Sequence, residues 1–466
     1  MASFLPARLA VCLLPCLLGS GLVSASIGGS RGSHPHIVPN QWVVLLKSEA
    51  DPQEWQASSA GDTVRYHSDA VNAVTLSNLT QGQADQLWED PMVQHVEPDR
   101  TIRLTRSDPC ESASPSLTAA YTQLADLVPD LELAAEQPHH SGRSLAQMSP
   151  LQPMISGQTV PTGIQRVNGP LKGMFLQPIA ILDTGVGPHP DLNVVSEHSC
   201  IDGKPLTTDQ NGHGTHVAGI AAASDNGYGV IGVAPGAPIH NVKILDFTGV
   251  GTVSSLICGL DYVVANNLAG IITMSFEAAP TPADALPCDN PSNPTTAMHQ
   301  AICNAVNAGV IITVAAGNEG DDVANHVPAA YPEIISVGSL ADYDGLPGGL
   351  AQDLSTARCG SGPDDSLAAN SNHGSSLSML APGICINSTY IIDQSPTGYM
   401  VMSGTSMAAP HVAGAAAVLR QQQGVSLTPA AAKQLLTHPT CSPSAYQTLF
   451  GSPGPSPFPI LDLHCI

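Results

Sequence analysis

Between residues 158 and 465, short apolar runs alternate with stretches of helical pattern, and this alternation narrows the fold more than any other property of the chain. The runs at 178–182, 239–245, 271–275, 310–315 and 333–338 are each about one strand long. Strands buried on both faces read as largely apolar runs, and these segments look like such strands. Residues 213–223, 252–267 and 297–308 lie between them and carry the helical pattern. The pattern predicts an α/β domain with a doubly wound, mostly parallel sheet. Such sheets place their sites at the C-terminal ends of strands. Asp183 and Asn318 both fall at such ends.

Three small-residue turns carry the chemistry. They are Ile181-Leu182-Asp183-Thr184-Gly185, Asn211-Gly212-His213-Gly214-Thr215-His216, and Gly404-Thr405-Ser406-Met407-Ala408-Ala409-Pro410. A serine hydroxyl is a poor nucleophile at neutral pH. It needs a base within hydrogen-bond reach, and the base needs a partner that fixes its tautomer. The chain order Asp, His, Ser is one of the few known solutions to that geometry. Ser406 opens a helical run, which turns backbone N–H groups and the helix dipole toward the reacting centre. Pro410, near the start of that helix, costs little if it falls in about the first turn. His213 starts a second helix after Gly212. Each turn alone is a weak signal. Asp-Thr-Gly also occurs, in pairs, in aspartic proteases, but only one copy is evident here. His213 and His216 have no acidic or thiol partner at a matching metal spacing, so His216 reads as a helix residue supporting the turn.

Taken together, these stretches resemble the subtilisin family of serine proteases, strongly from Gln158 to about Leu436. The resemblance implies Ser406 as nucleophile, His213 as general base and then general acid, and Asp183 as the orienting carboxylate. It implies that Asn318, in Ala315-Ala316-Gly317-Asn318, donates to the tetrahedral oxyanion. It places a substrate strand between Gly249-Val250-Gly251 and Ser275-Phe276-Glu277, where glycines let two backbones approach. Relatives carry glycine where this chain has Glu277. That carboxylate either lines the primary specificity pocket, favouring Lys or Arg, or points to solvent. A structural Ca²⁺ site is implied at Gln158, Asp191 and Asn226, completed by the carbonyls of Ser224, Tyr228 and Val230. Asn226-Gly227 is equally a turn signal. No organic cofactor is expected.

Upstream, residues 1–25 read as a secretory signal. One positive charge precedes an apolar stretch too short for a comfortable membrane span, and Val23-Ser24-Ala25 offers small residues at the cut. Residues 26–104 read as a small α+β unit. Strands are expected at 42–46, 71–76 and 93–96, and a helix at 81–88 with Thr80 as N-cap. This unit resembles a subtilase propeptide, which would act as folding template and cleft inhibitor. Residues 105–157 are rich in Ser, Pro, Ala and Gln, with one possible helix at 117–127, and read as a cleavable linker. Cuts after Arg143 and just before Gln158 are both open. The catalytic domain is expected over 158–440, with a tail at 441–466.

Cys12 and Cys16 leave with the signal, and Cys110 lies upstream of the catalytic region. The other eight favour disulfides in a secreted chain. The resemblance implies Cys288–Cys303 and Cys359–Cys385, which sit at similar places in some extracellular subtilases. Cys441–Cys465 would clip the tail, and Cys200–Cys258 is what remains. Asn78 and Asn387 head glycosylation triplets.

With a formal net charge of -23 and only 15 Lys plus Arg, the chain lacks the basic face a nucleic acid needs. The expected protein is a secreted, self-processing serine endopeptidase, monomeric and free of the membrane once the signal is gone. It acts on protein or peptide substrates, with its own propeptide as inhibitor. His213 must be neutral to act as base, so activity is expected to fall below roughly pH 6. The alternative is an inactive binding or scaffold protein on the same fold, with Glu277 as its only hint. A serine esterase is disfavoured, because it uses a Gly-x-Ser-x-Gly elbow and the order Ser, acid, His.

Overall fold

The computed structural model describes residues 36–47, 49–52, 55, 63–68, 72–105, 157–201, 206–286, 295–347, 362–395, 397–424, 426–438 and 458–465. All of them belong to one unit of the chain. The signal, nearly all of the linker with its possible helix, and most of the tail lie outside the described residues.

The N-terminal layer is an antiparallel sheet of β1 (Ile37–Leu46), β2 (Thr63–Ser68), β3 (Ala73–Ser77) and β4 (Val93–Leu104). Its one described helix, Gln81–Leu87, is capped as expected. Thr80 accepts from the Gln83 N–H, and Gln83 returns a bond to the Thr80 N–H. β2 was not foreseen, and β4 runs eight residues beyond the expected 93–96.

The larger layer follows in chain order. Its strands are β5 (Gln158–Thr159), β6 (Ile179–Asp183), β7 (Val194–Ser199), β8 (Gly229–Val230), β9 (Ile239–Lys243), β10 (Val250–Thr252), β11 (Ile271–Met274), β12 (Phe276–Glu277), β13 (Ile311–Ala315), β14 (Ile335–Ala341), β15 (Ser366–Leu367), β16 (Met379–Pro382), β17 (Ile386–Thr389) and β18 (Tyr399–Met402). The main sheet runs β7-β9-β6-β11-β13-β14, parallel throughout, with β16 parallel and β15 antiparallel against β14. All residues of β6, β9, β11, β13 and β14 are buried, which explains the apolar runs of β6, β11 and β13, while β9 also buries His240, Asn241 and Lys243.

Helices cover both faces. Those at His213–Ala222 and Thr405–Gln423 pack with Ile179, Ile181, Ile311 and Val337 on one side. Those at Val253–Ala265 and Ala297–Asn307 pack with Ala180, Leu182, Ile272 and Val314 on the other. The N-terminal layer joins this second core through Val43, Leu45, Ala73 and Ile102. The fold is therefore the expected doubly wound α/β domain. Chain order jumps from β9 across β6 to β11, so the sheet has its switch point at β6, the strand that ends in Asp183.

Pro410 lies inside the Thr405–Gln423 helix. It is the sixth residue of its helix, beyond the first turn. Its missing N–H leaves the Ser406 carbonyl without the usual helical donor, and the Ser275 hydroxyl supplies one at 3.3 Å.

Candidate active site

Asp183 ends β6 and His213 begins a helix, so two backbone termini bring the pair together. His213 Nδ1 lies 2.9 and 3.0 Å from the two oxygens of Asp183, and both side chains are buried. A carboxylate only accepts, so Nδ1 carries the proton and Nε2 is the basic nitrogen. The close approach depends on Gly214. A Cβ there would stand 2.1 Å from the Gly185 carbonyl and 3.1 Å from Asp183.

The turn around this pair is organised by a residue that sequence reasoning missed. Asp209 is buried and accepts from the N–H groups of Asn211, Gly212 and Thr215 and from the hydroxyls of Thr184 and Thr215. The buried Lys243 ammonium donates to the Thr184 carbonyl. His216 is fully buried, and its Nε2 lies 3.1 and 2.9 Å from the carbonyls of Ile386 and Met400, so it ties the helix to the β17–β18 hairpin. Burial pushes its pKa down to about 3, which keeps it neutral.

Ser406 is the second residue of the Thr405–Gln423 helix and is fully buried. Beside it, Asn318 follows β13. Its Oδ1 accepts from the Thr405 N–H at 2.8 Å and the Thr405 hydroxyl at 3.1 Å. This fixes the amide, so Nδ2 is the end that faces away. Nδ2 is buried and has no hydrogen-bond partner among the described residues. Asn372 holds the loop, donating to the Ala316 carbonyl and accepting from the N–H groups of Glu319 and Asp321. Neither Thr405 nor Asn372 stood out in the sequence, because lone Thr and Asn residues carry no spacing signal.

Both expected cleft edges are already paired. β4 runs antiparallel between β10 and β12, with Ile102 opposite Gly251, Arg103 opposite Val250 and Glu277, and Leu104 opposite Phe276. The Leu104 N–H donates to the Gly249 carbonyl at 2.9 Å and the Thr105 N–H to the Ser275 carbonyl at 3.3 Å. A Cβ on Gly249 would stand 2.6 Å from the Leu104 side chain. Thr105 Oγ1 lies 2.6 Å from Ser406 Oγ.

Glu277 neither stands alone in a pocket nor points free to solvent. Its carboxylate lies 2.8 Å from His326 Nδ1, with Glu319 at 3.8 Å and Asp321 at 3.4 Å from the same ring. Burial and the neighbouring Glu277 push the Glu319 carboxyl up to about 7. Burial pulls His326 down, but Glu277 and Glu319 outweigh it and its pKa lies above the ordinary value.

The residues expected to hold calcium do meet. The Gln158 amide donates to the carbonyls of Ser224 and Val230 at 2.7 and 3.2 Å, and the Asn226 amide to Asp191 at 2.8 Å. Tyr228 contributes its N–H to Asn226 and its hydroxyl to the Pro190 carbonyl. An amide nitrogen therefore stands between two carbonyl oxygens, and the two ends of an amide have the same shape. With that amide reversed the group is rich in oxygen and suits Ca²⁺.

Cys200 and Cys258 are joined. Cys303 and Cys385 are also in disulfides, while Cys288, Cys359 and Cys441 lie outside the described residues. Asn78 is exposed on a turn after β3, whereas Asn387 is half-buried within β17. Among the described residues, no helix is long and apolar enough to cross a membrane.

The sequence model of the Subtilase family matches residues 177–453. The chain belongs to the subtilase family. This subtilase is 36% identical to Subtilisin Savinase of Lederbergia lenta over 271 residues, covering 57% of the chain and 86% of that protein. It is also 36% identical to an alkaline protease of Alkalihalobacillus alcalophilus, of which it spans 60%. Among solved structures, fervidolysin from Fervidobacterium pennivorans, described as a keratinolytic enzyme related to subtilisin, superposes with a TM-score of 0.64 at 21% identity. That match covers 94% of this chain and 63% of fervidolysin. The fold and family together make the chain a subtilisin-like serine protease.

Proposed function

We propose that this subtilase is a secreted endopeptidase made as a zymogen, with residues 36–105 as its inhibitory prodomain and its own active site as the maturing protease. The observation that carries this reading is the path of β4, which fills the cleft as a central strand and is followed by Thr105 against Ser406. A substrate would lie there in the same way, held mainly by backbone bonds.

In this reading Ser406 Oγ attacks the substrate carbonyl carbon and passes its proton to His213 Nε2. Asp183 holds the ring and stabilises the imidazolium that forms. The oxyanion receives the Asn318 Nδ2–H and the Ser406 backbone N–H. His213 then protonates the leaving amine, and water releases the acyl group by the reverse proton path. For self-processing, the attacked carbonyl is that of Thr105 and the bond broken is Thr105–Arg106. Residues 106–157 would then remain on the enzyme until a later cut. Calcium, held by Gln158, Asp191, Asn226 and nearby carbonyls, would pin residues 224–230 to the start of the catalytic domain.

Wild type and Ser406→Ala, expressed side by side, test the proposal. Chain length by mass spectrometry and labelling by an irreversible serine-hydrolase probe are the readouts. Wild type is expected to shorten and label, and the variant to do neither. A wild type that stays full length, folded and unlabelled would sink the reading.

A further inference from the structure

Among the buried charged side chains that the strand brings to the cleft, Glu97, Asp99 and Arg100, one is a cation. Arg100 lies five residues before Thr105, and its side chain is 3% exposed. Nη1 donates to Asp284 Oδ2 at 3.2 Å and to the Ala279 carbonyl at 3.1 Å, while Nη2 faces Asp284 Oδ1 at 3.5 Å. Asp284 is itself buried, in the short turn Pro282–Ala285.

Everything else around that carboxylate comes from the catalytic layer. It accepts from the Thr281 N–H at 2.7 Å, the Thr281 hydroxyl at 2.8 Å, the Thr296 hydroxyl at 2.7 Å and the Tyr331 hydroxyl. The Tyr331 ring is in turn stacked on His299. Burial alone pushes the Asp284 carboxyl up, but Arg100 and these donors outweigh it, so it stays ionised. When β4 leaves, the neutral donors remain, while the counter-charge and its guanidinium bonds are lost. A carboxylate that loses its partner among these fixed donors favours a new cation.

We propose that Asp284 forms an arginine-selective substrate subsite, read by the side chain five residues upstream of the residue whose carbonyl Ser406 attacks. The inference rests on the proposed reading of Ser406 as nucleophile and of residues 101–105 as the substrate path. Any extended peptide in that register brings its own residue to the place of Arg100. The planar guanidinium fork reaches both carboxylate oxygens and the Ala279 carbonyl together, which a single lysine ammonium matches poorly. No sequence spacing reveals this site, because Arg100 and Asp284 lie 184 residues apart.

Two labelled peptides of residues 96–105, one natural and one with citrulline in place of Arg100, test the subsite on the processed enzyme. Citrulline keeps the shape and removes the charge. Their affinities are read by fluorescence anisotropy, and versions extended past Thr105 are read for hydrolysis. The arginine peptide is expected to bind at least tenfold more tightly, and Asp284→Asn is expected to bring the ratio toward one. A lysine peptide is expected to fall between the two. Affinities within twofold of each other in the wild-type enzyme overturn the proposal, whether or not the extended peptides are cut. If the tenfold ratio holds while neither extended peptide is hydrolysed, the subsite stands and the protease reading fails.

Discussion

The two halves of β4 are held in different ways. Residues 101–105 are gripped by backbone, through ladder bonds to β10 and β12 and the bonds from Leu104 and Thr105 to Gly249 and Ser275. Arg103 in this half is exposed. Residues 97–100 are gripped by charged side chains. Glu97 accepts from the Ala297 N–H at the start of one helix, and Asp99 accepts from the Ser254 N–H at the start of another. Both carboxylates sit where helix N-termini favour negative charge, and Arg100 enters the Asp284 site. The contrast teaches a division of labour. Backbone pairing accepts many sequences, as a protease cleft must, whereas the charged half selects for one.

The largest test of this division lies at the reacting end. Asn318→Ala is expected to lower kcat by about 10²–10³, the size known for loss of such a donor in subtilisin itself. Docking of β4 should hardly change, because the Asn318 Nδ2 makes no bond to it. Steady-state kinetics on a peptide substrate check the first part. Hydrogen exchange across residues 93–105 of the unprocessed chain checks the second.

In the charged half, Arg100→Ala leaves Asp284 buried without its counter-charge. In the full-length Ser406→Ala chain it is expected to weaken docking by roughly 2–5 kcal/mol, seen as faster exchange throughout β4. Arg103→Ala is expected to leave exchange nearly unchanged. Equal effects from the two arginines would erase the distinction.

Asp99→Ala removes the acceptor at Ser254 and should cost about 1 kcal/mol of docking, as for loss of a helix cap. The smallest effect is that of pH. Burial raises the Asp99 carboxyl above its ordinary value, more than its bonds to Ser254 and Gln41 lower it. The docked form therefore holds its proton to higher pH than the free form. Docking should be strongest below the ordinary carboxylate range and weaken as pH rises through the raised value. Exchange rates in β4 compared at pH 4 and pH 7 check the direction.

The legible parts of this fold were those written in local pattern. Ile179–Asp183, Ile271–Met274 and Ile311–Ala315 are fully buried runs, and the turns at Asp183, His213 and Ser406 each need small residues around a defined backbone. The cleft edges were legible for the same reason, since Gly249 must leave room for Leu104. The illegible parts depend on polar groups far apart in the chain. Asp209 organises the site by gathering N–H and hydroxyl donors, and Thr405 by its two bonds to Asn318, which no periodicity announces. Glu277 was noticed as a departure, but its partner His326 lies 49 residues on, beyond any local rule. The sequence pattern places the end of the propeptide-like unit at 104, whereas the register that brings Thr105 to Ser406, on which the proposed cut rests, exists only in three dimensions.

The most direct test of the account is intact-mass and terminal sequencing of the two fragments from freshly expressed wild-type protein. The account predicts a released N-terminal fragment ending at Thr105 and a catalytic chain beginning at Arg106, both absent from Ser406→Ala. A first cut at any other bond, or the same cut in Ser406→Ala, would contradict it.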